Sequence, residues 1–188
     1  MKAVVSIAGS DSSGGAGIQA DIKTIAAHHL FAETVITALT AQNTLGVTGV
    51  HEVSAAFVSE QIDAVFSDIR PDAVKVGMVS SAEIIRAIAG GLDKWHAENI
   101  VVDPVMVATS GARLIGEDAV SALIEELLPR ASVITPNILE AQVLCGCELS
   151  DEESCQRAAV SLARSLGVNV LVKGGHGAHD ANDVLATR

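Results

Sequence analysis

The sequence predicts an α/β fold in which helices cover both faces of a mainly parallel β-sheet. Short apolar runs alternate with amphipathic helical segments along the chain, which is the pattern of parallel strands joined by helices. A glycine-rich stretch, Ala8 to Asp21, links the first strand to the first helix, where such sheets tend to bind ligands. A length of 188 residues, without an internal repeat or a Pro/Ser-rich linker, predicts a single domain, residues 1–188.

In the first half of the chain, apolar periodicity and capping residues predict alternating strands and helices. Ile18, Ile22 and Ile25 recur at helical spacing and mark the buried face of the first helix. Ser54 is a typical N-cap for the second helix, and the polar segment Thr40 to Gly46 predicts a turn-rich loop. The predicted elements are strand Ala3 to Ile7, helix Ala16 to His29, strand Thr34 to Leu39, helix Ala55 to Ile69, strand Asp72 to Val76, and a helix from Ser80 or Ser81 to about Trp95. The residues expected on the inner sides of the second and third helices are Phe57, Ile62, Val65, Phe66, Ile69, Ile84, Ile85, Ile88 and Leu92.

Proline and glycine mark the element ends in the second half of the chain. Pro104 ends a strand because it cannot donate to the ladder, and Gly167 stops a long helix. Pro136 and Asn137 open another helix. The predicted elements are strand Asn99 to Val102, helix Glu117 to Leu128, strand Ser132 to Ile134, the helix after Asn137, helix Asp151 to Leu166, strand Asn169 to Val172, and a last strand, Val184 to Ala186.

Composition excludes several classes of partner. A formal net charge of −11 argues against nucleic acid and against anionic membrane surfaces. No apolar run approaches the length of a membrane span, and the N-terminal run is too brief for a signal peptide. The three cysteines, Cys145, Cys147 and Cys155, lack paired C-x-x-C spacing, so neither a disulfide framework nor a zinc site is indicated. We expect a cytoplasmic protein that uses local cations or a metal for any phosphorylated ligand.

The glycine-rich stretch predicts a ligand-binding loop. Gly9, Gly14, Gly15 and Gly17 allow tight turns and close approach of the backbone to a ligand. The loop matches neither the Walker A pattern, which needs a following Lys-Ser or Lys-Thr, nor the dinucleotide pattern G-x-G-x-x-G. Asp21 lies at the edge of the buried helix face, so its carboxylate is expected to be paired or bound. The structural alternative is an acid favoured by the helix dipole.

Six side chains lie at or just beyond predicted strand ends, which a parallel sheet brings to one edge. A glutamine there, Gln42, offers a donor beside an acceptor and so matches an amino group beside a ring nitrogen, although it could equally bond its own backbone in a turn. Two acids, a lysine and a glycine-rich loop at one edge suit magnesium-assisted phosphoryl transfer. An acid near a helix start, such as Glu140, is also common for structural reasons. The six residues are Asp11, Gln42, Met78, Asp103, Glu140 and Lys173.

Six segments occur in a characteristic order: AGSDSSGGAGIQADIKT, LTAQNTLGV, KVGM, VVDPVMVATSG, TPNILEA and VKGGH. Together they resemble the hydroxymethylpyrimidine/phosphomethylpyrimidine kinases of thiamine biosynthesis, which belong to the ribokinase-like superfamily. The resemblance covers essentially the whole chain. It implies a three-layer α/β/α sandwich and a homodimer. It also implies phosphorylation of 4-amino-5-hydroxymethyl-2-methylpyrimidine, and then of its monophosphate, with ATP and Mg²⁺.

The resemblance assigns the small-molecule pyrimidine substrate to one group of residues. Asp21 of GGAGIQAD and Gln42 of AQNT would contact the pyrimidine, with Gln42 at its amino edge. Gly9 would lie against the ring, and Met78 and Val105 would form apolar walls. Such walls fit a chain in which only 2% of the residues are aromatic.

The resemblance assigns the phosphates and the metal to a second group. Asp103 of the DPV motif and Glu140 of TPNxxE would position Mg²⁺, largely through water, and Lys173 of VKGGH would neutralise phosphate charge. Family members continue to a GTGC-type segment, in which glycine amides form an anion hole and a Cys or Asp acts on the substrate hydroxyl. No segment of this sequence matches it. We therefore expect a fragment or truncated form of such an enzyme. If these 188 residues are all that exist, we expect no normal turnover and an exposed sheet edge that favours association.

Two other functions remain open at this stage. The first is a pyridoxine or pyridoxal kinase of the same superfamily, since some relatives with this pattern act on both ring types. The second is a non-catalytic domain that senses the pyrimidine. The unmatched GTGC segment favours the sensor, whereas a complete set of Asp103, Glu140 and Lys173 argues against it.

Overall fold

The computed structural model describes residues 1–106, 115–175 and 182–188. Within these residues, eight strands form one sheet. The strands are β1 (Ala3–Asp11), β2 (Phe31–Asn43), β3 (Gly46–Glu52), β4 (Ala73–Val76), β5 (Ile100–Val102), β6 (Val133–Ile134), β7 (Asn169–Val172) and β8 (Val184–Ala186). Their order across the sheet is β3-β2-β1-β4-β5-β6-β7-β8. The six central strands of the sheet pair in parallel; they are β2, β1, β4, β5, β6 and β7. The edge strands β3 and β8 each pair antiparallel with their one neighbour. The predicted mainly parallel sheet is confirmed.

Helices connect the parallel strands and form the outer layers of a three-layer α/β/α sandwich. The crossover from β1 to β2 runs towards one side of the sheet, whereas the later crossovers run towards the other. Because such crossovers are right-handed, the first helix lies on one face and the later helices lie on the opposite face. The helices are α1 (Gly17–Ala27), α2 (Ala55–Ser67), α3 (Ala82–Lys94), α4 (Glu117–Ala122), α5 (Ile138–Cys145) and α6 (Glu152–Leu166).

The face that carries α2 to α6 holds most of the core. Alternate residues of β4 to β7 are buried there, while the intervening residues are only half-buried. The α3 prediction is confirmed, with Ile84, Ile85, Ile88 and Leu92 all buried and Ser81 accepting the N-cap hydrogen bond. None of the helices in the described residues is long and apolar enough to cross a membrane.

The structure corrects several predicted boundaries. β1 continues to Asp11 instead of ending at Ile7, and β2 continues through the predicted turn to Asn43. β2 is extended because its antiparallel partner β3 supplies backbone hydrogen bonds along its second half, and the end of β1 in turn pairs with this part of β2. The helix predicted to Leu128 passes from α4 into one π-helical turn and one 3₁₀ turn, because Pro129 cannot donate an intrahelical hydrogen bond.

Two predicted helix faces are narrower than the sequence indicated. Ile22 of α1 is 38% exposed, so Ile18 and Ile25 carry the buried face of that helix. Phe57 and Ile69 are also exposed, and α2 buries Val58, Ile62 and Phe66 instead. The Ser54 N-cap of α2 is confirmed.

Candidate functional site

An ion pair lies at the carboxyl edge of the sheet, where β5, β6 and β7 end. The Lys173 Nζ atom lies 2.6 Å from Asp103 Oδ1, and the Thr135 hydroxyl donates to the same oxygen at 3.1 Å. Each of these three residues follows a strand, and each backbone N–H still donates to a carbonyl of the neighbouring segment. The sheet ladder therefore positions the three side chains at one point. The strand-end rule predicted Asp103 and Lys173 at this edge, whereas Thr135 was missed.

Glu140 lies beside this pair but also has a structural role. Its Oε2 atom accepts a hydrogen bond from the Asn137 backbone N–H at 2.8 Å, and Asn137 Oδ1 accepts from the Glu140 N–H. This capping box satisfies two free donors at the start of α5. The residue is 2% exposed, and burial raises the pKa of its carboxyl; the Asn137 bond opposes that shift and the nearby Asp103 carboxylate adds to it.

The donor set at this edge fits Mg²⁺. Lys173 and Thr135 occupy one oxygen of Asp103, while Asp103 Oδ2 accepts no hydrogen bond from the described residues. Within residues 1–106, 115–175 and 182–188 there is no group of three His, Cys, Asp or Glu side chains able to hold a metal. Mg²⁺ commonly binds through one or two carboxylates together with substrate phosphates and water, so two acids suffice.

The Asp11 side chain stabilises the conformation of the glycine-rich loop through hydrogen bonds. Its buried carboxylate accepts hydrogen bonds from the backbone N–H groups of Ser13, Gly15 and Ala16 and from the Ser13 hydroxyl. Burial acts to raise the pKa of this carboxyl, but these hydrogen bonds outweigh burial and hold the pKa below its ordinary value. The spacing D-x-S-x-G-A could have revealed this role, because an aspartate commonly bonds the backbone two residues on.

Gly17 brings the start of α1 against the end of β1. Its φ is +55°, and an added Cβ would lie 2.3 Å from the Gly9 carbonyl oxygen. No side chain fits this contact, so the glycine is required by both conformation and space. The loop and the first turn of α1 are thereby held close to the carboxyl edge of β1.

Asp21 is paired, which is one of the two outcomes the sequence left open. Its Oδ2 atom lies 2.7 Å from Lys75 Nζ and accepts a hydrogen bond from the Ser6 hydroxyl at 2.6 Å. Ser6 and Lys75 are register partners on β1 and β4 and lie on the α1 side of the sheet. The network joins α1 to two central strands. Lys75 was missed from the sequence, although a lysine inside the apolar strand AVKV is the signal that would have identified it.

The remaining predicted pyrimidine contacts lie near the same edge. Gly9 is buried, and a Cβ there would lie 3.0 Å from Met78 Cε, so these two predicted residues are in contact. Gln42 lies in β2, and its Oε1 accepts from the Thr40 hydroxyl at 3.1 Å. Val105 is half-buried, and its N–H donates to the Asp103 carbonyl. The last five residues of the VVDPVMVATSG motif and His176 of VKGGH fall within 107–114 and 176–181, outside the described residues.

Comparison with known proteins gives one consistent picture. The family described as Phosphomethylpyrimidine kinase matches residues 11–188. The hydroxymethylpyrimidine/phosphomethylpyrimidine kinase of Rhizobium meliloti is 58% identical over 173 residues, which cover 92% of this chain. The thiamine biosynthesis bifunctional protein ThiED of Geobacter sulfurreducens is 56% identical over 97% of this chain. The chain spans 65% of the length of the first relative and 37% of the second.

Solved structures similar to this chain include kinases of the same kind. A phosphomethylpyrimidine kinase from Clostridium difficile 630 matches with a TM-score of 0.95 and 46% identity, covering 100% of this chain and 81% of that chain. A Bacillus subtilis pyridoxal kinase, solved as an ADP complex, matches with a TM-score of 0.91 and 35% identity, covering 100% and 72%. The backbone similarity therefore extends to kinases of both ring types, while sequence identity is higher for the pyrimidine kinase.

Proposed function

The chain belongs to the phosphomethylpyrimidine kinase family, and we propose that it phosphorylates 4-amino-5-hydroxymethyl-2-methylpyrimidine and then its monophosphate in thiamine biosynthesis, with ATP and Mg²⁺. The observation that carries the proposal is the Lys173–Asp103 ion pair, with buried Glu140 beside it, at the carboxyl edge of the sheet. Phosphoryl transfer depends on positioning and charge neutralisation, which this arrangement supplies.

Lys173 and the two acids would divide the work of phosphate binding. Asp103 and Glu140 would hold Mg²⁺, which when bound neutralises charge on the phosphate oxygens. Lys173 would exchange its contact with Asp103 for a phosphate oxygen, because its side chain is 38% exposed and two glycines follow it. Asp103 would keep its orientation through Thr135.

The pyrimidine would lie over the contact between Gly9 and Met78. Gly9 has no side chain to keep the ring away from the backbone, and Met78 and Val105 supply apolar surface. The Gln42 amide would read the amino group and the adjacent ring nitrogen, exchanging its bond with Thr40 for the ligand. Asp21 would contact the pyrimidine, and its carboxylate would be positioned by Lys75 and Ser6.

The test compares Gln42→Leu with Gln156→Leu. Gln156 is an exposed α6 residue whose amide donates to the Glu152 side chain in the same helix, so it is a matched control. We expect Gln42→Leu to weaken pyrimidine binding by about 100-fold or more, because the ring would lose its hydrogen-bonding partner. ATP binding should change less than twofold in both variants, as measured by calorimetry. Equal loss of pyrimidine and ATP binding in Gln42→Leu would overturn the role of Gln42.

The same protein distinguishes the two competing functions. The structural similarity to pyridoxal kinases is the observation that keeps a pyridoxine or pyridoxal kinase as second candidate. ADP formation with the hydroxymethylpyrimidine and not with pyridoxal supports the proposal, and the reverse preference supports that candidate. Pyrimidine binding without any ADP formation would support the sensing function instead.

We also propose a cytoplasmic homodimer. All three cysteines are free thiols, as expected in a reducing compartment. β3 is an edge strand that exposes Val47 and Val50, and apolar edge strands tend to pair with another chain. The second copy of this chain is the occupant that the family resemblance implies.

A further inference from the structure

Two cysteines that have no part in the proposed catalysis face each other after helix α5. Cys145 is the last residue of α5, Gly146 is its C-cap in the left-handed conformation at φ 67°, and Cys147 follows. The glycine turns the chain back so that the two Sγ atoms lie 3.0 Å apart. Both thiols are free, so this is a dithiol in which bond formation requires an approach of about 1 Å.

The two thiols have different surroundings. Cys147 is exposed, whereas Cys145 is partly buried and donates weakly to the carbonyl oxygens of Gln142 and Cys147. Burial raises the pKa of the Cys145 thiol, and the contact with Cys147 raises it further. Cys145 therefore remains protonated at neutral pH, and an incoming reagent meets Cys147 first.

We propose that Cys145 and Cys147 form a thiol–disulfide exchange site that reacts with low-molecular-weight disulfides and closes to an intramolecular disulfide. The Cys147 thiolate attacks one sulfur of the reagent RSSR, forming a mixed disulfide and expelling the first thiolate, which takes up a proton. Cys145 then loses its proton to solvent and attacks Cys147 Sγ, expelling the second thiolate. The two protein thiols are oxidised and the reagent is reduced to two thiols.

The closed form is expected to be easily reversible. Cross-linking residues i and i+2 removes little entropy from the unfolded chain, so the disulfide gains little stability from loop closure. Disulfides that are exposed and weakly stabilised are the ones that exchange readily with the thiol pool. The site responds to the ratio of small-molecule disulfide to thiol and needs neither ATP nor the pyrimidine, so its test does not depend on the proposed kinase activity.

The third cysteine is an internal control. Cys155 lies in α6, is 7% exposed, and has its thiol pKa raised by burial and by the nearby acids Asp151 and Glu152. It should not react in the folded protein. A Cys155→Ser variant should therefore behave like the unmodified sequence.

The experiment incubates the full chain with oxidised glutathione, blocks remaining thiols, and measures intact mass and peptide masses. We expect loss of two hydrogens within one peptide holding Cys145 and Cys147, with one thiol left, Cys155. Cys145→Ser should instead retain one glutathione on Cys147, and Cys147→Ser should react at least about tenfold more slowly. Reduced glutathione should reverse the closure.

Three outcomes would overturn the proposal. The first is a stable mixed disulfide on Cys147 in the unmodified sequence, because Cys145 would then not act on it. The second is no reaction of the folded chain under conditions that oxidise the unfolded chain. The third is a disulfide that includes Cys155 or joins two chains.

Discussion

At the scale of single residues, Lys173 is the side chain whose charge the proposed reaction needs most. We expect Lys173→Gln to lower kcat/KM for ATP by about 100-fold or more, because removing one donor aimed at developing charge typically costs this much. The variant should retain pyrimidine binding, since that ligand is assigned to other residues. ADP formation and ATP binding measure the effect, with Lys2→Gln, an exposed lysine outside the site, as the control. A change of less than twofold in kcat/KM would contradict the role.

Glu33 gives a prediction on pH and stability. One of its carboxylate oxygens is buried without a hydrogen-bond partner among the described residues, and burial together with Asp68 raises the pKa above its ordinary value of 4.5. A raised pKa in the folded state means that the protonated carboxyl stabilises the fold below pH 4.5. That contribution is lost as the pH rises through the folded-state pKa.

Glu33→Gln should therefore raise the Tm at about pH 8, where the native carboxylate is charged. The difference in Tm should disappear below pH 4.5, where both side chains are neutral. Thermal unfolding across this range tests it, with the exposed Glu60→Gln as the control. A Tm difference that is independent of pH would show that the buried charge is not the cause.

At the scale of elements, Gly17, the first residue of α1, is the position that tolerates a side chain least. Gly17→Ala places a side chain on a left-handed backbone and makes that side chain overlap with the Gly9 carbonyl. Gly167→Ala, at the end of α6, has a similar φ of +70° but no atom within 4 Å of the added Cβ. The pair separates conformational strain from steric overlap.

We expect Gly167→Ala to lower the free energy of unfolding by about 1 kcal/mol, the cost of the left-handed conformation alone. Gly17→Ala should cost about 3 kcal/mol or more, because backbone atoms must also move. Urea denaturation measures both values, and only Gly17→Ala should also weaken pyrimidine binding. Equal losses in the two variants would contradict the steric argument.

Local signals predicted some elements well and others poorly. α3 was predicted closely because its N-cap Ser81 and its buried isoleucines lie within one segment. The β2–β3 hairpin was missed because β2 is polar beyond Leu39 and β3 contains two glycines, so that only the pairing of the two segments shows that they are strands. Glu140 was identified by its position one turn into a helix. Whether such an acid forms a capping box or binds a metal depends on neighbouring residues that only the fold brings together.

At the scale of the whole molecule, topology explains why Asp103 and Lys173 could be predicted together. Asp103 and Lys173 are separated by 70 positions in the chain, yet the strand-end rule placed them at one edge and the structure joins them. The rule says nothing about residues inside strands. Lys75 therefore escaped prediction, because its partner Asp21 reaches it from a helix above the sheet.

The proposed dimer gives a prediction about the edge of the sheet. Val50 on β3 is 56% exposed, and β3 has only one neighbouring strand in the described residues. A lysine on an edge strand is compatible with folding but blocks pairing with a second edge. Val50→Lys should therefore convert a dimer into a folded monomer.

Light scattering after size exclusion, over a range of protein concentrations, measures the assembly. The matched control is Val160→Lys, since Val160 is 42% exposed on helix α6 at a distance in the fold from β3. If two copies join through β3, the unmodified chain and Val160→Lys should be dimers, and Val50→Lys should be a monomer. A monomer for the unmodified chain would contradict the dimer itself. A dimer that persists in Val50→Lys would instead place the interface away from β3.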